Sequence, residues 1–442
     1  MSAVNCFDAL REALRADLDF HGTDGKYASH GWHPFPAKFP PQLPQFFIEH
    51  LSNIEDVVLD PMLGSGTTLV EAMRLGRRVV GCDIDPLARM IAAAKLTPIE
   101  AVKTLQIGYR IIDAAKRDYW QNRDALEREL SMRFDGKTEE FVNYWFLPQQ
   151  QLELIALLQH IEAVPAHSEN SATSLNQKRI RDFLRVVFSS TIIAKSGGVS
   201  LARDLAHTRP HRDGNKKPNS AFVEFAKRLE RNLTVYDRSR LKSQTTDTPF
   251  QIRAASAEKT GLETASVDLI VTSPPYANNA IDYMRAHKFS LVWFGWKIAD
   301  LTKIRSQYLG HDAASGKKYD CLPYQCEKTL VRLTELDSKK AEALRRYFAE
   351  MRTVIAEMQR VLKKGKAAVI VVGTSHLRGM DVETQKGLAA IGESVGFDLA
   401  GIGVRRLDRD KRMMPARWGN KRRSQIEERM HEEYVIGLVK PQ

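Results

Sequence analysis

Ser273-Pro274-Pro275-Tyr276 is the stretch of this 442-residue chain whose residue types could do chemistry most directly. It follows Val267-Asp268-Leu269-Ile270-Val271, a short apolar run rich in β-branched residues that suits a strand buried on both faces of a parallel sheet. Two prolines fix their φ angles and supply no N–H, so the chain must leave the sheet as a stiff loop whose carbonyls have no ladder partner. In open α/β sheets, loops at the carboxyl ends of strands are where ligands bind. There the Ser273 hydroxyl and the Pro274 carbonyl would serve as acceptors, and Tyr276 would offer a ring face. A plain strand-to-turn with a buried tyrosine leaves the same trace, so the weight rests on partners elsewhere in the chain.

The first partner is Val57-Val58-Leu59-Asp60-Pro61-Met62-Leu63-Gly64-Ser65-Gly66-Thr67-Thr68, which reads as a buried strand, a glycine turn and a helix running to about Leu75. Gly64 and Gly66 have no Cβ, so the backbone can approach a ligand closely, and the helix start supplies free N–H groups. Leu69 stands where a dinucleotide fingerprint needs its third glycine, and no lysine follows as in a phosphate-binding loop. A second strand, Arg78 to Cys82, ends in Asp83-Ile84-Asp85-Pro86. An acidic residue at that place can accept from both hydroxyls of a ribose. Asp85 directly precedes a proline, the arrangement of an N-cap, so Asp83 is the expected ribose ligand.

Ser-Pro-Pro-Tyr after an apolar strand resembles motif IV of the DNA methyltransferases that act on exocyclic amino groups, N4 of cytosine or N6 of adenine. The Asp60-Pro61-x-x-Gly64-Ser65-Gly66-Thr67-Thr68 pattern, about 200 residues earlier, resembles their motif I. The Pro-aromatic stretch from Gly31 to Pro41 resembles motif X in Phe35 and Lys38. The resemblance covers roughly residues 30–96 and 250–440. It implies a Rossmann-like α/β fold with a seven-stranded, mostly parallel sheet and a helical insertion, and S-adenosylmethionine as cofactor. It also implies catalytic roles for Ser273, Pro274, Pro275 and Tyr276. Cofactor contacts would come from Phe35, Lys38, Asp60, Pro61, Gly64, Ser65, Gly66, Thr67, Thr68, Asp83 and Ile84. Ser256 joins them where the family often has a Gly-Asp pair; Ala255-Ser256 departs from that pattern. The chemistry explains the residue types. A ring-conjugated amino group has a delocalised lone pair, so an enzyme must hold its hydrogens on fixed acceptors and turn the nitrogen toward the methyl donor. Tyr276 can stack an extruded base, a contact worth roughly 1–3 kcal/mol.

Cytosine N4 is favoured because the family's cytosine members usually carry serine where adenine members more often carry aspartate. That link is an association, since either residue accepts a hydrogen bond. The other readings are an N6-adenine DNA methyltransferase, an RNA amino-methyltransferase and a DNA-binding protein with an idle methyltransferase fold.

Composition sets the bounds. Hydrophobic content of 43% is ordinary for a globular chain, and no run of 18 apolar residues appears. The expectation is a cytoplasmic, nucleoid-associated protein with no membrane contact and no metal. Four cysteines (Cys6, Cys82, Cys321, Cys326) are too few for a disulfide framework. None follows a proline, which argues against the covalent cysteine route of ring-carbon cytosine methylation. The net charge of +12 is uneven. Lys178 to Lys242 holds 16 basic and 6 acidic residues and Arg405 to Arg423 holds 9 and 2, so the remainder is net acidic. Such local patches fit a polyanion, here double-stranded DNA. Arg203, Lys216, Lys217, Arg285, Arg417, Lys421 and Arg422 are the expected DNA contacts. A cognate restriction endonuclease would be a separate chain.

Three segments follow: 1–96 with the aromatic and glycine loops, 97–250 as a helical insertion for target recognition or DNA contact, and 251–442 with the catalytic loop and remaining strands. Scaffold or dimerisation is the competing role of the insertion. Leu301 to Lys340 is expected to be a long irregular loop with a helix at its end.

Overall fold

The computed structural model describes residues 5–165, 172–194, 198–203, 205, 210–237, 249–277, 282–310, 321–407 and 431–442. Its centre is a seven-stranded sheet: β1 (Val57–Asp60), β2 (Arg78–Cys82), β3 (Phe250–Arg253), β4 (Val267–Thr272), β5 (Leu362–Gly373), β6 (Asp398–Arg406) and β7 (Glu432–Val439). The spatial order is β6-β7-β5-β4-β1-β2-β3. Neighbours from β5 to β3 run parallel, and β7 is antiparallel to both β5 and β6. The order reverses beside β1 and β4, so their carboxyl ends open a crevice in which the loops after Asp60 and Thr272 lie together.

Side chains alternate between two apolar layers, as the two-residue period of a strand requires. Val58, Leu269, Val271, Val369 and Val371 enter one core. Leu59, Ile270, Ile370 and Val372 enter the other. The first face carries α1 (Cys6–Ala13), α2 (Gln42–Leu51), α3 (Thr67–Arg74) and α4 (Pro86–Leu96).

The segment between β2 and β3 is helical: α5 (Ala101–Gln121), α6 (Arg123–Arg133), α7 (Gly136–Trp145), α8 (Pro148–Glu162), α9 (Ala172–Ile192) and α10 (Ala221–Asp237). A short hairpin pairs 202–203 with 211–212. The sequence suggests an insertion that leaves the core untouched at a surface connection. Instead these helices extend the first core. Trp32, fully buried, packs edge-on against Phe183 of α9 and at a tilt against Tyr236 of α10. Its indole donates to the Asn232 carbonyl at 3.2 Å, while Asn232 Nδ2 returns a bond to the Trp32 carbonyl at 2.9 Å.

After β4 come α11 (Met284–Leu291), α12 (Ile298–Arg305), α13 (Tyr324–Leu336), α14 (Ser338–Val361) and, after β5, α15 (Thr384–Ser394). The last three cover the second face. Leu301 to Lys340 is therefore more helical than expected. In α13, Cys326, Leu330 and Leu333 bury one stripe, a helical spacing present in the sequence. All four cysteines are free thiols. Among the described residues no helix is long and apolar enough to cross a membrane.

Candidate active site

A cavity of about 440 Å³ opens at the carboxyl ends of β1, β2 and β4. Asp60 is its hinge. Its Oδ1 accepts from Met62 N at 3.1 Å and from Thr272 Oγ1 at 2.7 Å, tying the loop after β1 to the residue that precedes Ser273. Burial pushes the Asp60 carboxyl up to about 6 against the lowering effect of those bonds.

The two glycines of the loop serve different ends. Gly64 lines the cavity at φ +48°, and a Cβ there would meet the Phe35 ring at 3.4 Å. Gly66 sits at φ +77° where a Cβ would lie 2.9 Å from that of Ala92, so its bareness lets α3 close onto α4. Gly66 and Thr68, which is fully buried, do not line the cavity; Pro61, Ser65 and Thr67 do. At Gly66 helix packing occupies the space that a Cβ would take. Beneath the loop, buried Lys95 donates from Nζ to the Ser65 carbonyl at 2.8 Å.

Asp83 and Ile84 line the same cavity. Each oxygen of Asp83 takes one backbone N–H, Gly64 at 3.0 Å and Asp85 at 2.8 Å, and keeps room for a second donor. Burial first and the neighbouring Asp85 second push its carboxyl up to about 7. Asp85 caps α4 through Leu87 N at 2.8 Å and Ala88 N at 3.2 Å. Its other oxygen accepts from His287 Nδ1 at 2.6 Å and from the Tyr308 hydroxyl at 2.5 Å. Burial acts to raise Asp85, but His287, Tyr308 and Ala88 N–H together hold it below the usual range. Two adjacent carboxylates are thereby driven apart, one braced as an anion and one poised near neutrality.

Phe35 stacks on Tyr283 with centroids 4.9 Å apart and leans on His287 at 5.3 Å. Lys38 lines the cavity and donates to the His30 carbonyl at 2.9 Å. Ser256 lines the far side, where its Oγ accepts from Glu258 N at 3.2 Å. Ser273, Pro274, Pro275 and Tyr276 form the opposite wall. Tyr276 donates to Glu433 Oε1 at 2.8 Å.

Arg285 also lines the cavity, paired with Asp282 Oδ2 at 2.9 Å; Arg305 binds the same oxygen from Nε at 2.7 Å. The other expected DNA contacts lie elsewhere. Arg203 pairs with Asp213 at 2.5 Å and Lys216 donates to the Ala202 carbonyl at 2.6 Å, both bracing the 202–212 hairpin, while Lys217 is exposed. Arg417, Lys421 and Arg422 lie outside the described residues. Sequence reading missed Arg305 and Tyr308 at the cavity, because their contacts with Asp282 and Asp85 span 23 and 223 residues. No cysteine lines the cavity, and burial pushes the Cys82 and Cys326 thiols up to about 12.

Comparison with known proteins bears on this arrangement. A family profile described as DNA methylase matches residues 18–93, which include the Phe35 loop, the Gly64 loop and Asp83. The Type II methyltransferase M.MvaI of Kocuria varians is 26% identical over 388 residues, covering 83% of this chain and 81% of its own length. M.AvaI of Nostoc sp. (strain PCC 7120), also named a Type II methyltransferase, is 23% identical over 423 residues, covering 89% and 84%. Along most of its length the chain is similar to Type II methyltransferases, and its N-terminal segment to the DNA methylase model. A third relative, M.MjaII of Methanocaldococcus jannaschii, is 31% identical over 125 residues, 28% of this chain and 23% of its own.

The cavity's lining suits the S-adenosylmethionine that the sequence resemblance implies. A cationic ligand with a ribose needs carboxylates and open acceptor sites, which Asp60 and Asp83 supply on one wall. Gly64 leaves the space a Cβ would fill, and Phe35 and Tyr283 give aromatic surface beside it.

Proposed function

We propose that this chain is a site-specific Type II methyltransferase that methylates the exocyclic N4 of cytosine in a base turned out of duplex DNA. The observation carrying the reading is that Ser273 to Tyr276 and the Asp60–Asp83 region wall one cavity, joined by the Asp60–Thr272 bond. Asp83 would hold the ribose hydroxyls of the cofactor, Asp60, Phe35 and Lys38 its amino-acid end, and Ser256 the region of its adenine. When bound, S-adenosylmethionine supplies an electrophilic methyl group on sulfur.

The chain's own residues do the rest. Ser273 Oγ and the Pro274 carbonyl accept the two amino hydrogens, which fixes the amino plane and directs the nitrogen lone pair along the line of attack. Pro275 keeps the loop stiff. The Tyr276 ring face retains the extruded base. No covalent enzyme intermediate is needed, consistent with a cavity that no cysteine lines and with the raised Cys82 and Cys326 thiols. The preference for cytosine rests on serine at position 273, following the family association. Residues 97–250, with Arg203 and Lys217, supply duplex contact. Arg285 is a weaker candidate for that role because it is already paired with Asp282. The names of the relatives support placement in a restriction-modification setting with a separate nuclease.

Ser273→Ala tests the assignment. Methyl transfer to DNA should fall about 10²–10³-fold, the usual effect of removing one preorganised contact to the reacting group. Cofactor and duplex affinities should stay near parental values. Transfer at the parental rate would remove Ser273 from the mechanism.

A further inference from the structure

The Tyr276 hydroxyl has a partner that base stacking does not require. It donates to Glu433 Oε1 at 2.8 Å, and the other oxygen of that carboxylate accepts from Arg405 Nη1 at 2.5 Å. Glu433 and Arg405 stand opposite each other on β7 and β6, 7% and 2% exposed. Arg405 is itself held by the carbonyls of Leu18 at 3.1 Å and Asp19 at 3.3 Å. A buried ion pair of this kind gains little stability over an apolar pair of similar volume, because desolvation offsets the attraction. What it supplies here is direction. A carboxylate has only acceptor sites, so with Arg405 on one oxygen the other can only receive the phenol proton.

We propose that Glu433 is a positioning residue for methyl transfer: anchored by Arg405, it fixes the Tyr276 ring through the phenol and with it the loop that carries Ser273. The inference rests on the amino-methyl transfer reading above. It gives the tyrosine hydroxyl a role, which a simple stacking platform would not. It also requires a carboxylate at 433. In Glu433→Gln the amide NH₂ must face one of two donors, the phenol or Arg405, so one link breaks.

The test compares the parental protein with Tyr276→Phe, Glu433→Gln, their combination, and Glu433→Leu/Arg405→Met, which removes the ion pair as a unit. Measured are kcat on duplex DNA, cofactor and duplex affinities, and thermal melts. Each single variant should lose about tenfold to hundredfold in kcat, the scale of a misplaced reacting group, with affinities close to parental. Tyr276→Phe/Glu433→Gln should be no slower than the slower single, since both break one chain of contacts. Tyr276→Phe leaves the ion pair in place, so it decides the matter even if the β7 variants fold poorly. Parental kcat in Tyr276→Phe, multiplying losses in the double variant, or losses that merely track melting temperature would overturn the inference alone. A parental protein that transfers no methyl group to DNA would overturn the functional reading with it.

Discussion

Asp83 offers a prediction whose size follows from its surroundings. Its carboxyl is pushed from an ordinary 3.8 to about 7, chiefly by burial and then by Asp85, with the N–H groups of Asp85 and Gly64 and the Arg89 charge opposing. Tyr283 and Tyr308 also face it, and both stay protonated because burial and these carboxylates push their pKa values up. A rise of about three units means that ionising Asp83 in the folded, cofactor-free protein costs roughly 4 kcal/mol more than in an unfolded chain. Because the folded pKa lies above the unfolded one, Asp83 favours folding fully below about pH 3.8, and that contribution is lost as pH rises through about 7. In the proposed function Asp83 binds the cofactor in its ionised form, accepting from both ribose hydroxyls. One linked proton with a pKa of about 7 makes affinity at pH 6 about tenfold weaker than at pH 8. Titration calorimetry at pH 6, 7 and 8, in buffers of different ionisation enthalpy, would read both the affinity and the proton released. Asp83→Asn should bind S-adenosylmethionine more weakly and lose the pH slope assigned to this group. An unchanged slope in Asp83→Asn would refute the reasoning, even if that variant bound weakly.

Asp85→Ala should act mainly on stability: it loses an N-cap worth about 1 kcal/mol and strands His287 and Tyr308 at about 1–3 kcal/mol each. Cofactor affinity measured well below the lowered melting temperature should change less than in Asp83→Ala; the reverse ranking would exchange the two roles. Neutralising Arg417, Lys421 and Arg422 together should reduce the slope of log affinity for duplex DNA against log salt by about 0.9 per lost phosphate contact. An unchanged slope would make that segment a solvated surface. Replacing Cys6, Cys82, Cys321 and Cys326 with serine should leave measurable transfer if the fold survives, whereas a cysteine–DNA adduct would contradict direct transfer.

The backbone around the site was legible where it is encoded locally. A β-branched run stopped by two prolines, a glycine turn opening a helix, and an aspartate before a proline each specify their own backbone, and the strands at 57–60, 78–82 and 267–272 follow. What joins them was not legible. Asp60 meets Thr272 across 212 residues and Tyr276 meets Glu433 across 157, contacts created by sheet order rather than by any periodicity. Lys95 shows the same limit. A lysine near a helix end reads as a solvated charge, yet here it is buried under the Ser65 carbonyl. Gly66 carried a local signal, but only the approach of Ala92 reveals that it serves packing.

The central claim is that the Ser273 loop methylates an exocyclic amino group, and the base made reports on it directly. Nucleosides from the DNA of cells expressing the protein, digested and quantified by mass spectrometry beside a Ser273→Ala control, should contain N4-methylcytosine that the control lacks. N6-methyladenine in its place would contradict the choice of base while keeping the amino chemistry. 5-Methylcytosine, or no new methylated base, would contradict the account itself.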